Sequence, residues 1–142
     1  MLITGANEHR ESVIKLLDSA KLPAQDLPVS LDSFFVAIEH DEVIGVAGLE
    51  IYGNYGLLRS LVVLPGYQNQ GIAGRLVAKV EDFAGQNNLK AVYLLTETAF
   101  GYFNRKGYEK IIREDVPVPV QASTEFSHVC PVSAIVMKKE LI

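Results

Sequence analysis

Residues 57–76, LLRSLVVLPGYQNQGIAGRL, decide the fold. An apolar run of strand length stops at Pro65, crosses a short polar loop and passes into a helical pattern through Gly71 and Gly74. A helix begins with backbone N–H groups that have no intrahelical acceptor, at the positive end of its dipole. A strand-loop-helix corner of this kind is suited to hold phosphate.

The elements on either side extend the pattern. Ile72, Leu76, Val77, Val80, Phe83 and Ala84 recur at helical spacing, which predicts an amphipathic helix over residues 71–86. Residues 91–95 are a continuous apolar run reached through that helix, so they are predicted to lie parallel to strand 57–64 by a right-handed crossover. Upstream, residues 34–40 and 43–52 read as strands joined at Asp41-Glu42, and Gly53-Asn54-Tyr55-Gly56 reads as the turn into strand 57–64. That antiparallel meander, with a four-residue turn, sets Tyr52 opposite Leu57 and Glu50 opposite Arg59.

At the ends of the chain, residues 2–4 read as a short strand, and Asn7 is expected to cap a helix with Val13, Leu17 and Ala20 on one face. Residues 23–33 fit either a loop or a short second helix. Thr96 or Thr98 is expected to cap a short helix ending at Gly107, followed by strands at 108–113 and 133–139 around an irregular proline-bearing segment. The expected class is α/β: a mixed antiparallel and parallel sheet with helices on both faces, one domain over residues 1–142.

Composition bounds the function. The chain of 142 residues is 49% hydrophobic and 21% charged, which describes an ordered globular protein. Its net charge of −4, without a Lys/Arg cluster on any predicted helix, speaks against a nucleic-acid partner. No apolar stretch approaches the roughly 20 residues of a membrane helix, and the first residues lack a signal-peptide pattern, so a cytoplasmic location and no membrane partner are expected. Cys130 is the one cysteine and has no partner at metal-ligand spacing; it reads as a packed small residue, and neither an internal disulfide nor a zinc site is indicated.

The loop itself narrows the ligand. It has the two glycines of a Walker loop, yet Ile72-Ala73 stands where Lys-Ser/Thr is required, so nothing would reach terminal phosphates or a magnesium ion. Gly71 and Gly74 also lack the spacing of a dinucleotide fingerprint. What survives is a diphosphate held by backbone amides without metal, and coenzyme A carries one.

The segment Gln68-Asn69-Gln70-Gly71-Ile72-Ala73, placed after Leu61-Val62-Val63-Leu64-Pro65, resembles the Q/R-x-x-G-x-G/A signature of the GCN5-related N-acetyltransferases. A second block, Ala99-Phe100-Gly101-Tyr102-Phe103-Asn104-Arg105-Lys106-Gly107-Tyr108, resembles that family's small residue, aromatic pair and Gly-aromatic. The resemblance implies acetyl-CoA as co-substrate. It assigns the pyrophosphate to amides within Gln68, Asn69, Gln70, Gly71, Ile72, Ala73 and Gly74, and the pantetheine arm to the backbone of Leu61, Val62 and Val63. It adds Thr96 and Asn104 as coenzyme contacts, although many members carry asparagine at the Thr96 position. A homodimer through a sheet edge is a further implied expectation.

In the implied mechanism a neutral amine attacks the thioester, and a strand amide polarises its carbonyl oxygen. The family's usual tyrosine acid position holds Phe103, which leaves the general acid open; water is one candidate, since a thiolate with a pKa of about 8.5 is already a fair leaving group. Glu50, Glu97, Glu125 and His128 are the candidate bases. Arg59 shares a strand face with Leu57, Leu61 and Val63 and must find an anionic partner or water there: Glu50, a substrate carboxylate, or both on one fork. Residues 93–99 and 124–134 resemble the small branch of the family associated with arsenic-resistance gene clusters and amino-acid N-acetyltransferases. That implies a small-molecule amine such as glutamate, phosphinothricin or arsinothricin, with Thr124, Glu125 and Ser127 as polar contacts. Acetylation of a polyamine, an aminoglycoside or a protein N-terminus, and a non-catalytic acyl-CoA sensor, are the alternatives.

Overall fold

The computed structural model describes residues 1–123 and 134–141. Seven strands form one mixed sheet in the order β1-β2-β3-β4-β5-β7-β6. In chain order these are β1 Leu2–Gly5, β2 Phe34–Glu39, β3 Glu42–Tyr52, β4 Tyr55–Val63, β5 Ala91–Thr96, β6 Glu109–Ile111 and β7 Ile135–Glu140. Among the described residues four α-helices accompany them: α1 Arg10–Ser19, α2 Ile72–Gln86, α3 Phe100–Arg105 and α4 Val118–Gln121. The expected α/β class and the order of the strands on either side of α2 hold. Pairing of β4 with β5 is parallel, as a helical crossover requires, while β1 with β2, β2 with β3, β5 with β7 and β6 with β7 are antiparallel.

The chain divides into two compact units: residues 1–49 with 58–83, and residues 50–57 with 84–142. In the first, β2 is buried along its apolar stretch because it is covered on both faces. Phe34 and Val36 join Val13, Leu16 and Leu17 of α1 in one core, which also takes in Leu27 and Leu31. Phe35 meets Phe83 of α2 edge to face at 5.6 Å. Ile72, Leu76, Val77 and Val80 supply the buried stripe of α2, matching the predicted periodicity. In the second unit, Leu57, Ala91, Tyr93 and Val136 form a core closed by Val116 and Val120.

Several local expectations are corrected. Asn7 does not cap α1: it lies in a short 3-10 turn, its side-chain oxygen accepts from Leu31 N–H at 2.7 Å, and its amide donates to Asp32. Of the two readings open for residues 23–33 the loop holds: Pro23 and Pro28 break the amide ladder and the segment runs through separate turns. The first hairpin turns at His40 and Asp41, both at positive φ (51° and 62°), the conformation a two-residue hairpin favours. The next turn is Gly53-Asn54, two residues rather than four, with Gly53 at φ 63°. This removes the basis for setting Glu50 opposite Arg59. The proline-bearing segment, read as irregular, holds α4, with Pro117 preceding its first turn.

Candidate active site

The site is built on the corner between β4 and α2. After Val63 the chain makes a 3-10 turn, Pro65–Tyr67, closed by Tyr67 N–H on the Leu64 carbonyl at 2.9 Å. Gln68 turns its side chain back and donates Nε2 to the Val63 carbonyl at 3.0 Å, which ties the loop to the end of the strand. Asn69 and Gly71 adopt left-handed conformations, φ 64° and 80°. Asparagine tolerates this region, while at Gly71 the absence of Cβ removes its cost. The helical ladder opens with Arg75 N–H on the Gly71 carbonyl at 3.1 Å. Helix geometry therefore leaves Ile72, Ala73 and Gly74 N–H without intrahelical acceptors.

This corner is exposed over residues 68–71, whereas the Ile72 side chain is buried at 5% exposure. What Ile72 offers a ligand is its backbone. No acidic residue stands in the first turn of α2 to repel an anion, and a Cβ placed on Gly71 would meet nothing within 4 Å. Amides at a positive helix end, in open space and without a competing carboxylate, fit the diphosphate of coenzyme A. Gln68 through Gly74 thus lie together at one corner. Among the described residues no group of three His, Cys, Asp or Glu could hold a metal, and no helix is long and apolar enough to cross a membrane.

Strand β4 leads into this corner with a kink. Ser60 sits at φ 61°, a left-handed residue inside a strand, at a cost of about 1–2 kcal/mol for a non-glycine. Residues 56–60 are all buried, while Leu61 and Val62 beyond the kink are half-exposed. Gly45 of β3 permits close approach: a Cβ there would stand 3.2 Å from the Val62 carbonyl and 3.0 Å from Leu76 Cδ1. The backbone of Leu61, Val62 and Val63 is thereby set between a kink and a pinned corner.

Arg59 precedes that kink. Its side chain is 2% exposed and forms a two-pronged pair with Asp26: Nη1 to Oδ2 at 2.9 Å and Nη2 to Oδ1 at 2.8 Å. Its Nε donates to Ser60 Oγ at 3.0 Å, and the guanidinium lies 5.8 Å from the Phe34 ring centroid. Sequence reading demanded an anion for Arg59 but missed Asp26, which lies 33 residues upstream in a segment with no periodicity. The available signal was the acid itself, one residue before the buried anchor Leu27.

The remaining candidates lie in the second unit. Thr96 Oγ1 accepts from Ala99 N–H at 2.9 Å just before α3, so its hydroxyl orders that helix start. Asn104 is exposed and donates to the Tyr108 carbonyl at 3.4 Å. Glu50 is half-buried, and Tyr52 donates its hydroxyl to Glu50 Oε1 at 3.1 Å. Glu97 is exposed. Phe103 is buried, edge-on to both Tyr102 and Tyr108, so the usual tyrosine position is filled here by a core residue. Thr124, Glu125, Ser127 and His128 lie outside the described residues.

The Acetyltransferase (GNAT) family matches residues 8–111, which include α1, strands β2 to β5, the β4-α2 corner and α3. An uncharacterized N-acetyltransferase of Chlorobaculum tepidum is 33% identical over 98 residues, 68% of this chain and 63% of that protein. The match therefore spans less than two thirds of that relative's length. Among solved structures, Rv2747 from Mycobacterium tuberculosis, in complex with CoA, superposes over 100% of both chains with a TM-score of 0.83 at 20% identity. N-acetylglutamate synthase from Neisseria gonorrhoeae, complexed with coenzyme A and N-acetyl-glutamate, is matched over 36% of its length and 100% of this chain, with a TM-score of 0.79 at 16% identity. At such identities the two structures speak for the fold, and the family match for descent. The chain belongs to the GNAT family of acetyltransferases.

Proposed function

We propose that this chain is an acetyl-CoA-dependent N-acetyltransferase for a small-molecule amine, with a small amino acid or amino-acid analogue (glutamate-, phosphinothricin- or arsinothricin-like) as the acceptor. The observation that carries the transferase reading is the row of first-turn amides that helix geometry leaves without intrahelical acceptors after the exposed Gly71, at the end of a strand whose backbone is kinked and pinned. Acetyl-CoA supplies the thioester. The amine nitrogen bonds to the acetyl carbon as the carbon–sulfur bond breaks, and the nitrogen gives up a proton. A backbone amide near Leu61 to Val63 stabilises the oxygen on which charge develops.

Glu50 is assigned as base, with Tyr52 orienting its carboxylate; Glu125 is the alternative. Water protonates the departing thiolate, which at a pKa of about 8.5 leaves readily near neutral pH. The amino-acid acceptor is supported by Arg59, a buried guanidinium two residues before Leu61, and by similarity to a synthase solved with N-acetyl-glutamate. A thiol-release assay over amino acids, polyamines, aminoglycosides and plain amines tests this. Turnover strongest with carboxylate-bearing amines is expected. Acetyl-CoA binding without turnover of any amine would instead identify an acyl-CoA sensor.

A further inference from the structure

We propose that Asp26 is an internal stand-in for the acceptor's carboxylate, which a carboxylate-bearing amine displaces from Arg59 when it binds. This rests on the transferase reading above and names the residue that sets its acceptor preference. The two carboxylate oxygens of Asp26 engage the two terminal nitrogens of Arg59 at 2.9 and 2.8 Å, the arrangement an α- or side-chain carboxylate would also adopt. Exchanging one carboxylate for another keeps the buried guanidinium neutralised throughout. A neutral or cationic acceptor has nothing to offer in that exchange, so it leaves Asp26 in place.

The pair is asymmetric in the way exchange requires. Arg59 is fixed: its side chain is 2% exposed, with Nε on Ser60 Oγ at 3.0 Å and Phe34 alongside. Asp26 is the less buried partner, 11% exposed, in a turn where Leu27 N–H reaches the Ala24 carbonyl at 3.3 Å. The segment is held on its far side by buried Leu27 and Leu31, and by Arg10 Nη1 on the Pro28 carbonyl at 2.7 Å. Rotation about the Asp26 side chain withdraws its carboxylate without unseating those anchors.

The test compares the natural protein with Asp26→Asn and Asp26→Glu, using glutamate and butylamine as acceptors in thiol release, and calorimetric titration of glutamate into the CoA-saturated proteins. With the competitor removed, Asp26→Asn is expected to lower Kd for glutamate by about tenfold and to lower its KM by about tenfold relative to that for butylamine. Asp26→Glu is expected to restore the natural KM. Glutamate affinity unchanged or weakened in folded Asp26→Asn overturns the proposal. Should Asp26→Asn fail to fold, Asp26→Leu combined with Arg59→Met replaces the pair by apolar groups. That protein is expected to lose any preference for glutamate over butylamine, and retention of it overturns the proposal. If no protein turns over any amine, the transferase reading fails, and the glutamate titration still decides the role of Asp26.

Discussion

At the scale of single residues, Arg59 and Gly71 carry opposite kinds of information. Arg59 is an ion in a core, and removing it strands a largely buried carboxylate at Asp26. Arg59→Ala is therefore expected to destabilise the fold by about 3–5 kcal/mol. In the protein that remains folded, KM should rise more for carboxylate-bearing acceptors than for plain amines. Chemical denaturation and a two-acceptor kinetic comparison check both parts, and equal KM effects would exclude a substrate role. Gly71 is a backbone requirement: at φ 80° a side chain is strained even though the space around it is open. Gly71→Ala is expected to cost about 1–2 kcal/mol of stability and to weaken acetyl-CoA, because the amides following it move. A melting curve and a coenzyme titration measure these effects.

At the scale of elements, the proposed coenzyme site rests on helix α2, whose first turn lacks acids. Ala73→Asp separates folding from binding. A carboxylate at a helix N-terminus favours the helix by about 0.3–1 kcal/mol, yet it repels a diphosphate. The expected result is an undiminished melting temperature with coenzyme affinity reduced about tenfold or more, partly recovered by salt.

A pH effect belongs to the β5-β7 pair. Burial pushes the Tyr93 phenol above its ordinary 10.0, against the opposing pull of Lys138. The hydrogen bond to Glu140 raises Lys138 above 10.5. Both groups hold their protons more tightly folded than unfolded, so their contribution is complete below about pH 10 and is lost as pH rises through the raised values. Tyr93→Phe with Lys138→Met should flatten the alkaline limb of the stability profile, measured by denaturant titration from pH 8 to 12.

The elements also show where sequence sufficed. The periodicity of α2, the apolar run of β5 and the crossover through α2 from β4 to β5 are local patterns, and each was legible. Turn positions shifted by one or two residues, since several polar residues in a row fit more than one hairpin. Asp26 was hidden for a different reason: its partner is distant in sequence, and residues 23–33 have no period that would orient them. Ser60's left-handed backbone leaves no mark in composition. The burial of Phe103 was likewise unreadable, because an aromatic block fits a core as well as a site.

At the scale of the whole molecule, family membership is established by the match over residues 8–111, and the open corner after β4 gives that membership a physical content. A ligand that binds only the folded chain raises its stability by mass action. Acetyl-CoA at about 100 times its Kd is expected to add about 2.7 kcal/mol and to raise Tm by several degrees, whereas acetate or free pantetheine, lacking the diphosphate, should add far less. Isothermal calorimetry with acetyl-CoA, run on the natural protein and on Ala73→Asp, tests the central claim most directly. Saturable binding with one site per chain, weakened about tenfold or more by the aspartate, is the predicted result. No detectable binding to the natural protein, or equal binding to both, would contradict a coenzyme site at the β4-α2 corner.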